Sequence, residues 1–275
     1  MLRCSLAVLA TVLIPVTAPV AAQAATAQAL LDALRLDDMV ALMQREGLDY
    51  GADLGTEMMP GRDTAEWERE VARVYDLDVM VDGMSAAFLR EMEGVDVTPL
   101  EAFFTSDLGT EIVTLEYTAR EAFLDESVEE AAIARVVTME EAGDARLEQV
   151  KDFVAANDYI ETNVVGALNA NYAFYIGMID GGGINMGLTD DQVLSMVWEQ
   201  EPEIRENTTE WLYSYLYMAY QPLEDAELAE YQALLQTDAG RAMNRALFAG
   251  FDQMYVAISR QLGISVSRFS GGEEL

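Results

Sequence analysis

Carboxylates are almost the only side chains of this sequence that could carry out acid–base chemistry. The 275 residues include 49 Asp and Glu but no His, so the usual general base near neutral pH is missing. Two carboxylates that flank a cleft can cleave a glycoside, one as the acid and the other as base or nucleophile. No pattern places an acid of this chain in an apolar pocket, so we interpret the candidates as acids on solvated helix faces. The candidates recur at a constant separation: Asp49 and Asp180, Glu68 and Glu199, and Glu70 and Glu201.

The sequence offers little for metal or covalent chemistry. The stretch DGGGINMGLTDD at 180–191 resembles a calcium loop, but Gly182 and Ile184 stand where that loop needs side-chain oxygens. Methionines one helical turn apart, such as Met39 and Met43, fit Cu(I) ligands or the packing of a helical core. The di-metal sites of helical bundles require His, which this chain lacks. We therefore predict no metal site, no cofactor and no catalytic residue.

An aromatic segment, WLYSYLYMAY at 211–220, is the best candidate for a binding surface. Tyr at alternate positions would also fit a strand. The segment between Pro202 and Pro222 is long for a strand, however, and we predict a buried helix. Its side chains have apolar bodies and polar tips, which suits a groove for a ligand or partner, or a closed core with satisfied hydroxyls. The groove residues would be Trp211, Tyr213, Tyr215, Tyr217 and Tyr220.

Two short stretches, FFTSDLGTEI at 103–112 and LLQTDAGRAM at 234–243, predict the helical corners that position these residues. In each, a Ser or Thr can cap a new helix, and the Asp after it suits the dipole of the first turn. A helical Gly costs about 1 kcal/mol relative to Ala. We expect the close approach of another helix to compensate for that cost. The corner residues are Ser106, Asp107 and Gly109 in the first stretch and Thr237, Asp238 and Gly240 in the second.

The two corners belong to a longer duplication. The offset that separates Ser106 from Thr237 also relates Trp67 to Trp198, with no gap between them. Apolar residues recur at steps of three and four, which predicts an all-α fold of two tandem, related helical-bundle repeats after a cleaved signal peptide. Capping boxes are predicted at Thr98, Ser127 and Thr189. The predicted divisions are a signal peptide at 1–24, repeat 1 at 28–125, a linking helix at 126–149, repeat 2 at 150–262 and a C-terminal tail at 263–275.

The corner residues also carry a family resemblance. Phe103 and Phe104 followed by Ser106, Asp107 and Gly109 resemble the helix end and Ser-Pro-x-Gly motif of the bacterial family called domain of unknown function 2059. The second corner matches the motif in the same way. This chain differs by having Asp where Pro is usual and by carrying two copies. The resemblance implies a helical protein of the cell envelope and brings no established activity or catalytic residues.

The first residues predict export. Arg3, the apolar run SLAVLATVLIPV and the small residues of AQA at 22–24 form a secretory signal with cleavage after Ala24. The signal contains one basic residue and no acid, so cleavage leaves a net charge of −34 and removes the single Cys. Such a chain is repelled by nucleic acid and by anionic lipid. We predict a periplasmic or secreted protein with no span in its mature part.

These observations favour a soluble, non-enzymatic binding or interaction module of the cell envelope. Its partner would be an envelope protein, a peptide or a small apolar ligand. The alternative is a carboxylate-dependent hydrolase acting on envelope glycan. A third possibility is an acidic spacer without a specific ligand.

Overall fold

The computed structural model describes residues 20–58, 64–182 and 187–271, and all regular structure within these ranges is helical. The predicted all-α class is confirmed. Residues 1–19 of the predicted signal peptide lie outside the described ranges, and residues 20–24 begin the first helix. The thirteen helices in the described ranges are α1 Val20–Ala33, α2 Leu36–Met58, α3 Thr64–Val74, α4 Leu77–Glu91, α5 Thr98–Phe104, α6 Asp107–Ala122, α7 Glu126–Ala142, α8 Ala145–Ala156, α9 Tyr159–Gly181, α10 Asp190–Trp198, α11 Glu201–Tyr220, α12 Asp225–Leu235 and α13 Asp238–Gly271.

Side-chain caps fix where several helices begin. Thr189 forms the predicted capping box at the start of α10. The boxes predicted at Thr98 and Ser127 are wrong: α5 has no side-chain cap at its first residue, and α7 is capped by Asp125. In both places the amide of the predicted cap residue donates to an aspartate two residues upstream. Asp96 accepts a hydrogen bond from the amide of Thr98 at 3.1 Å, and Asp125 accepts one from the amide of Ser127 at 3.0 Å. A carboxylate at this place satisfies an amide and also suits the helix dipole.

The two predicted corners have the same local geometry. The amide of Gly109 donates to Ser106 Oγ at 3.1 Å, and the amide of Gly240 donates to Thr237 Oγ1 at 3.0 Å. A Cβ atom at Gly109 would lie 2.0 Å from a carbonyl oxygen in the last turn of α5, and one at Gly240 would lie 2.3 Å from the corresponding oxygen of α12. Each glycine therefore allows the preceding helix to approach, and the aspartates between cap and glycine are the first residues of α6 and α13.

The predicted linking helix at 126–149 is two helices. α7 ends at Ala142 and is followed by Gly143, whose φ of 64° is left-handed, and α8 begins at Ala145. Asp144 caps α8 by accepting a hydrogen bond from the amide of Leu147 at 3.0 Å. A left-handed glycine followed by a capping aspartate ends one helix and starts another.

The predicted tail at 263–275 is wrong for its described part, since α13 continues without a break to Gly271. Gly263 is not a helix end. A Cβ atom there would lie 2.1 Å from the carbonyl oxygen of Phe174, so the residue lets α13 cross closely over α9. Beyond it, Val266 and Phe269 are buried. Burial of this last stretch extends the helix past the point where the sequence pattern predicts its end.

Buried side chains from both predicted repeats form one hydrophobic core, which runs from Leu30 near the N-terminus to Phe269 in α13. The aromatic helix α11 lies inside it, packed against α6, α7, α8 and α9. A smaller cluster joins α9 to α10 around Val164 and Val193. Within the described ranges, no helix has an apolar stretch long enough to cross a bilayer.

Candidate functional site

A cavity of about 880 Å³ lies between α2, α6, α9, α11, α12 and α13. It opens to solvent along α9, where Val165 and Asn169 are exposed. Amide side chains on α9 and α13, including Asn163 and Asn244, add polar groups to its wall. Its volume falls within the range of small-molecule sites, roughly 300–1,000 Å³. Its aromatic wall includes Tyr159, Trp211, Tyr215, Tyr220, Tyr231 and Tyr255.

Three of the five aromatic residues proposed from the sequence line this cavity. Trp211 and Tyr215 stack on each other with ring centroids 4.9 Å apart, and Tyr220 lies at the end of α11. Tyr213 and Tyr217 do not line it. An α-helix turns by about 100° per residue, so these two residues fall on the other half of α11. Tyr213 lies beside the Lys151 ammonium, and the Tyr217 hydroxyl is 3.3 Å from Asp144 Oδ1.

The centre of the site is Glu116 of α6, which the sequence reasoning missed. The hydroxyl of Tyr220 donates to Glu116 Oε1 at 2.6 Å, and the hydroxyl of Tyr231 donates to the same carboxylate. The hydroxyl of Tyr215 donates to the backbone carbonyl of Glu116 at 3.0 Å. Tyrosines of α11 and α12 therefore hold the carboxylate and its backbone in place from two sides.

The pKa of Glu116 is raised into the neutral range. Burial raises the pKa of Glu116 to about 7, although hydrogen bonds from Tyr220 and Tyr231 oppose the rise. Removal from water disfavours the charged carboxylate, while donors that point at it favour that form. Glu116 can therefore gain or lose a proton near neutral pH.

The surrounding tyrosines remain protonated. Burial and the nearby charge of Glu116 raise the pKa of Tyr215, Tyr220 and Tyr231 well above the ordinary range. The same two causes raise the pKa of Tyr159. Burial raises the pKa of Tyr255 to about 12. These hydroxyls therefore act as hydrogen-bonding groups near neutral pH. They do not ionise to the phenolate, which is the form that could act as a base.

Arg120 supplies the positive charge of the cavity wall, one turn after Glu116 on α6. Its guanidinium is 2.5 Å from Glu46 Oε2 and lies over the ring of Trp211, 4.8 Å from the ring centroid. Burial raises the pKa of Glu46, and the charge of Arg120 acts against that rise. At the mouth of the cavity, Asn169 donates to Asp252 Oδ1 at 2.8 Å.

None of the recurring acids proposed from the sequence lines the cavity. Asp49, Glu68 and Glu199 are exposed. The other three have partners outside the cavity wall, and Glu70 is buried, contrary to the expectation of a solvated helix face. Asp180 lies 2.5 Å from Arg260, Glu70 accepts a hydrogen bond from Ser265 at 2.6 Å, and Glu201 lies 2.5 Å from Arg205. The structure does not bring these acids together as a catalytic pair.

The residues considered for metal binding take other places. Residues 183–186 of the stretch that resembles a calcium loop lie outside the described residues. In the ranges that are described, no group of three acidic, Cys or His side chains could hold a metal ion. Met39 and Met43 lie in the wall of the cavity. They contribute soft apolar surface there.

Two sequence signals could have revealed Glu116. It lies on the apolar face of α6, with the buried residues Ile112 four positions before it and Ala119 three positions after it. An acid on such a face is unusual, because charged groups are rarely buried. The residue that the repeat offset pairs with Glu116 is Leu247, which also lines the cavity. Glu116 therefore occupies a position whose counterpart in the predicted second repeat, Leu247, is apolar.

Neither a family model nor a curated protein nor a solved structure matches this chain.

Proposed function

We propose that this chain is an exported, non-enzymatic protein of the cell envelope that binds a small, largely apolar molecule in the cavity between α2, α6, α9, α11, α12 and α13. The observation that carries the proposal is the aromatic cavity of about 880 Å³ whose wall includes the half-buried carboxylate of Glu116. Sites for small molecules combine apolar walls with a few placed polar groups, and this cavity has that composition.

The chemistry of the wall supports binding rather than turnover. The tyrosines around Glu116 hold their protons near neutral pH, so they can orient a ligand but cannot activate a nucleophile. Hydrogen bonds from Tyr220 and Tyr231 already occupy part of the carboxylate. Such a pre-formed network favours a fixed binding geometry.

Glycan hydrolysis is the second candidate, and one observation favours it. Glu116 has a pKa of about 7, as a general acid requires, and Asp252 lines the same cavity. Release of soluble sugars from purified cell wall, lost in both Glu116→Gln and Asp252→Asn, would select hydrolysis over binding.

We also propose that the chain is a tandem duplication related to the family called domain of unknown function 2059, and that it is exported after cleavage behind Ala24. The matching hydrogen bonds at Gly109 and Gly240 support the duplication. The leader pattern of Arg3, the apolar run and the small residues at 22–24 supports export. Cell fractionation followed by N-terminal sequencing tests the export proposal, which predicts a mature protein that starts at Ala25.

A side chain that fills the cavity tests the binding proposal. Gly166 lies in the wall on α9, and a Cβ atom there would meet open space. Gly83→Phe is the matched control, because Gly83 is also a helical glycine with open space beside it but lies outside the cavity wall. The probe is N-phenyl-1-naphthylamine, a neutral apolar dye that fluoresces in dry surroundings.

We expect one dye molecule per chain, with quenching of Trp211 fluorescence. Gly166→Phe should weaken dye binding at least tenfold, because its ring occupies the space that the dye needs. Gly83→Phe should bind as the unaltered chain does. Equal binding by both variants would place the dye on the surface and overturn the proposal.

A further inference from the structure

The described charged side chains that line the cavity include more acids than bases. Glu116 and Asp252 are acids of the wall, and Arg120 is the basic residue among the described lining residues. Arg120 is already paired, since its guanidinium contacts the Glu46 carboxylate at 2.5 Å. An anionic ligand would therefore meet acids and no unpaired basic group. A neutral ligand would leave the Glu116 carboxylate without a counter-charge.

Aromatic rings surround the same carboxylate. Tyr220 and Tyr231 contact it through their hydroxyls, and their rings pack edge to face with centroids 6.4 Å apart. Trp211 and Tyr215 add a stacked pair to the same wall, although the Arg120 guanidinium already lies over the Trp211 ring. Tyr220 and Tyr231, whose hydroxyls contact the carboxylate, are therefore the rings that support a cation site. The faces of such rings attract cations through their quadrupoles, most strongly where water is excluded. A carboxylate has about four acceptor sites, so the two tyrosine hydroxyls leave room for another donor.

We propose that the ligand is an organic cation, an apolar molecule whose ammonium group pairs with the Glu116 carboxylate within this ring of aromatic side chains. The inference rests on the proposed binding function and names the class of ligand. The apolar wall of α2, α9 and α13 would hold the body of the ligand, while Glu116 and the tyrosines would hold its charged end.

Binding of a cation is linked to loss of a proton from Glu116. Burial raises the pKa of Glu116 to about 7, and an ammonium ion beside it would favour the carboxylate. Affinity should therefore rise about tenfold per pH unit below pH 7 and level off above it. The neighbouring tyrosines keep their protons throughout this range.

The charged groups that face Glu116 from the other helices are few. Arg120 lies on its own helix and is paired with Glu46 of α2, while Asp252 of α13 lies at the mouth. Because the pKa of Glu46 is also raised, Glu46→Gln should be tested beside the Glu116 variant. If the proposal is right, affinity for the ammonium probe still depends on pH in Glu46→Gln, although the unpaired Arg120 guanidinium weakens that binding overall, whereas Glu116→Gln loses the pH dependence.

The experiment compares three probes with the same naphthalene body by titration calorimetry. One carries an ethylammonium group, one an ethanol group and one a propionate group. Alkylammonium groups lose their proton only near pH 10, so the first probe stays charged from pH 5.5 to 8. At pH 8 we expect the ammonium probe to bind at least tenfold more tightly than the alcohol and the propionate to bind most weakly. At pH 5.5 the advantage of the ammonium probe should fall by tenfold or more.

Proton release is measured directly by repeating the titration in buffers with different heats of ionisation. At pH 6 the ammonium probe should release close to one proton on binding, and the alcohol none. Glu116→Gln should abolish both the release and the preference while still binding the alcohol. Glu111→Gln is the matched control, since Glu111 is an exposed acid on the same helix. The proton release of the unaltered chain decides the question even if Glu116→Gln does not fold.

The outcomes separate the two proposals. If the alcohol binds as tightly as the ammonium probe at pH 8 with no proton release, the site is an apolar pocket and the cation inference is overturned while the binding function stands. Tightest binding by the propionate also overturns the inference. If no probe binds and the dye binds equally to the Gly166 and Gly83 variants, the binding function fails and the inference fails with it.

Discussion

At the scale of single residues, Glu116 binds its proton more tightly in the folded chain than in the unfolded one, because burial raises its pKa from 4.5 to about 7. A group of this kind stabilises the fold fully below about pH 4.5. The contribution declines as the pH rises through the folded pKa and is absent above about pH 7. Since one pKa unit corresponds to about 1.4 kcal/mol, the difference between the two limits is of order 3 kcal/mol.

Glu116→Gln should therefore change the pH dependence of stability. We expect the free energy of unfolding of the unaltered chain, relative to the variant, to fall by about 3 kcal/mol between pH 4.5 and pH 8, because glutamine carries no proton to lose. Urea unfolding at the two pH values measures this difference. Glu111→Gln, at an exposed site on α6, should leave it near zero. Parallel stability curves for the unaltered chain and Glu116→Gln would contradict the raised pKa.

The residues of the site could be predicted from the sequence only in part, because the sequence does not show which half of α11 faces the cavity. The sequence pattern predicts five aromatic groove residues on α11, but only Trp211, Tyr215 and Tyr220 line the cavity. The pattern cannot distinguish them from Tyr213 and Tyr217, because other helices cover both halves of α11. Which half faces a cavity depends on the distance between helices. Local sequence does not record that distance.

At the scale of elements, the corner glycines carry a measurable prediction. Gly109→Ala and Gly240→Ala should each destabilise the fold by about 2–4 kcal/mol, because the new Cβ atom would overlap a backbone carbonyl of the preceding helix. Gly83→Ala is the control, since its Cβ atom would meet open space in α4. It should stabilise the chain by about 0.5–1 kcal/mol through helix propensity. Thermal or urea unfolding measures all three, and neutral changes at both corners would refute the close-contact role.

The type of each element was predictable, but several ends were not. Apolar periodicity and capping residues such as Ser106 and Thr189 predict helices that the structure contains. Glycine is ambiguous, because it either ends a helix in a left-handed conformation or admits a neighbouring backbone. Gly143 does the first, and Gly263, where the sequence predicts the last helix to end, does the second. The choice between the two is made by tertiary packing.

At the scale of the whole molecule, the cavity draws on both halves of the sequence. Glu116 and Arg120 come from the predicted first repeat, whereas α9, α11, α12 and α13 come from the predicted second. The two sets of helices share one core. A repeat pattern predicts how each half resembles the other, but it does not predict how the halves pack against each other. The cavity could therefore be found only from the structure.

The charge of the molecule leads to the last prediction, an increase in stability with salt. The chain has 49 acidic and 16 basic residues, so 33 acids lack a counter-charge even if every basic residue is paired. Like charges about 10 Å apart repel by roughly 0.4 kcal/mol in water, and the many such pairs outweigh exposed ion pairs worth about 0–1 kcal/mol each. The screening length shortens from about 30 Å at 0.01 M salt to about 10 Å at 0.1 M.

We expect the thermal unfolding midpoint to rise by about 5 °C or more between 10 and 300 mM NaCl, which corresponds to a gain of order 1–2 kcal/mol for a chain of this size. KCl at equal ionic strength should give the same rise, because screening does not depend on the identity of the cation. A rise specific to one cation would indicate an ion site instead of screening. A falling midpoint would mean that the ion pairs stabilise the fold by more than the repulsion destabilises it, since salt weakens both.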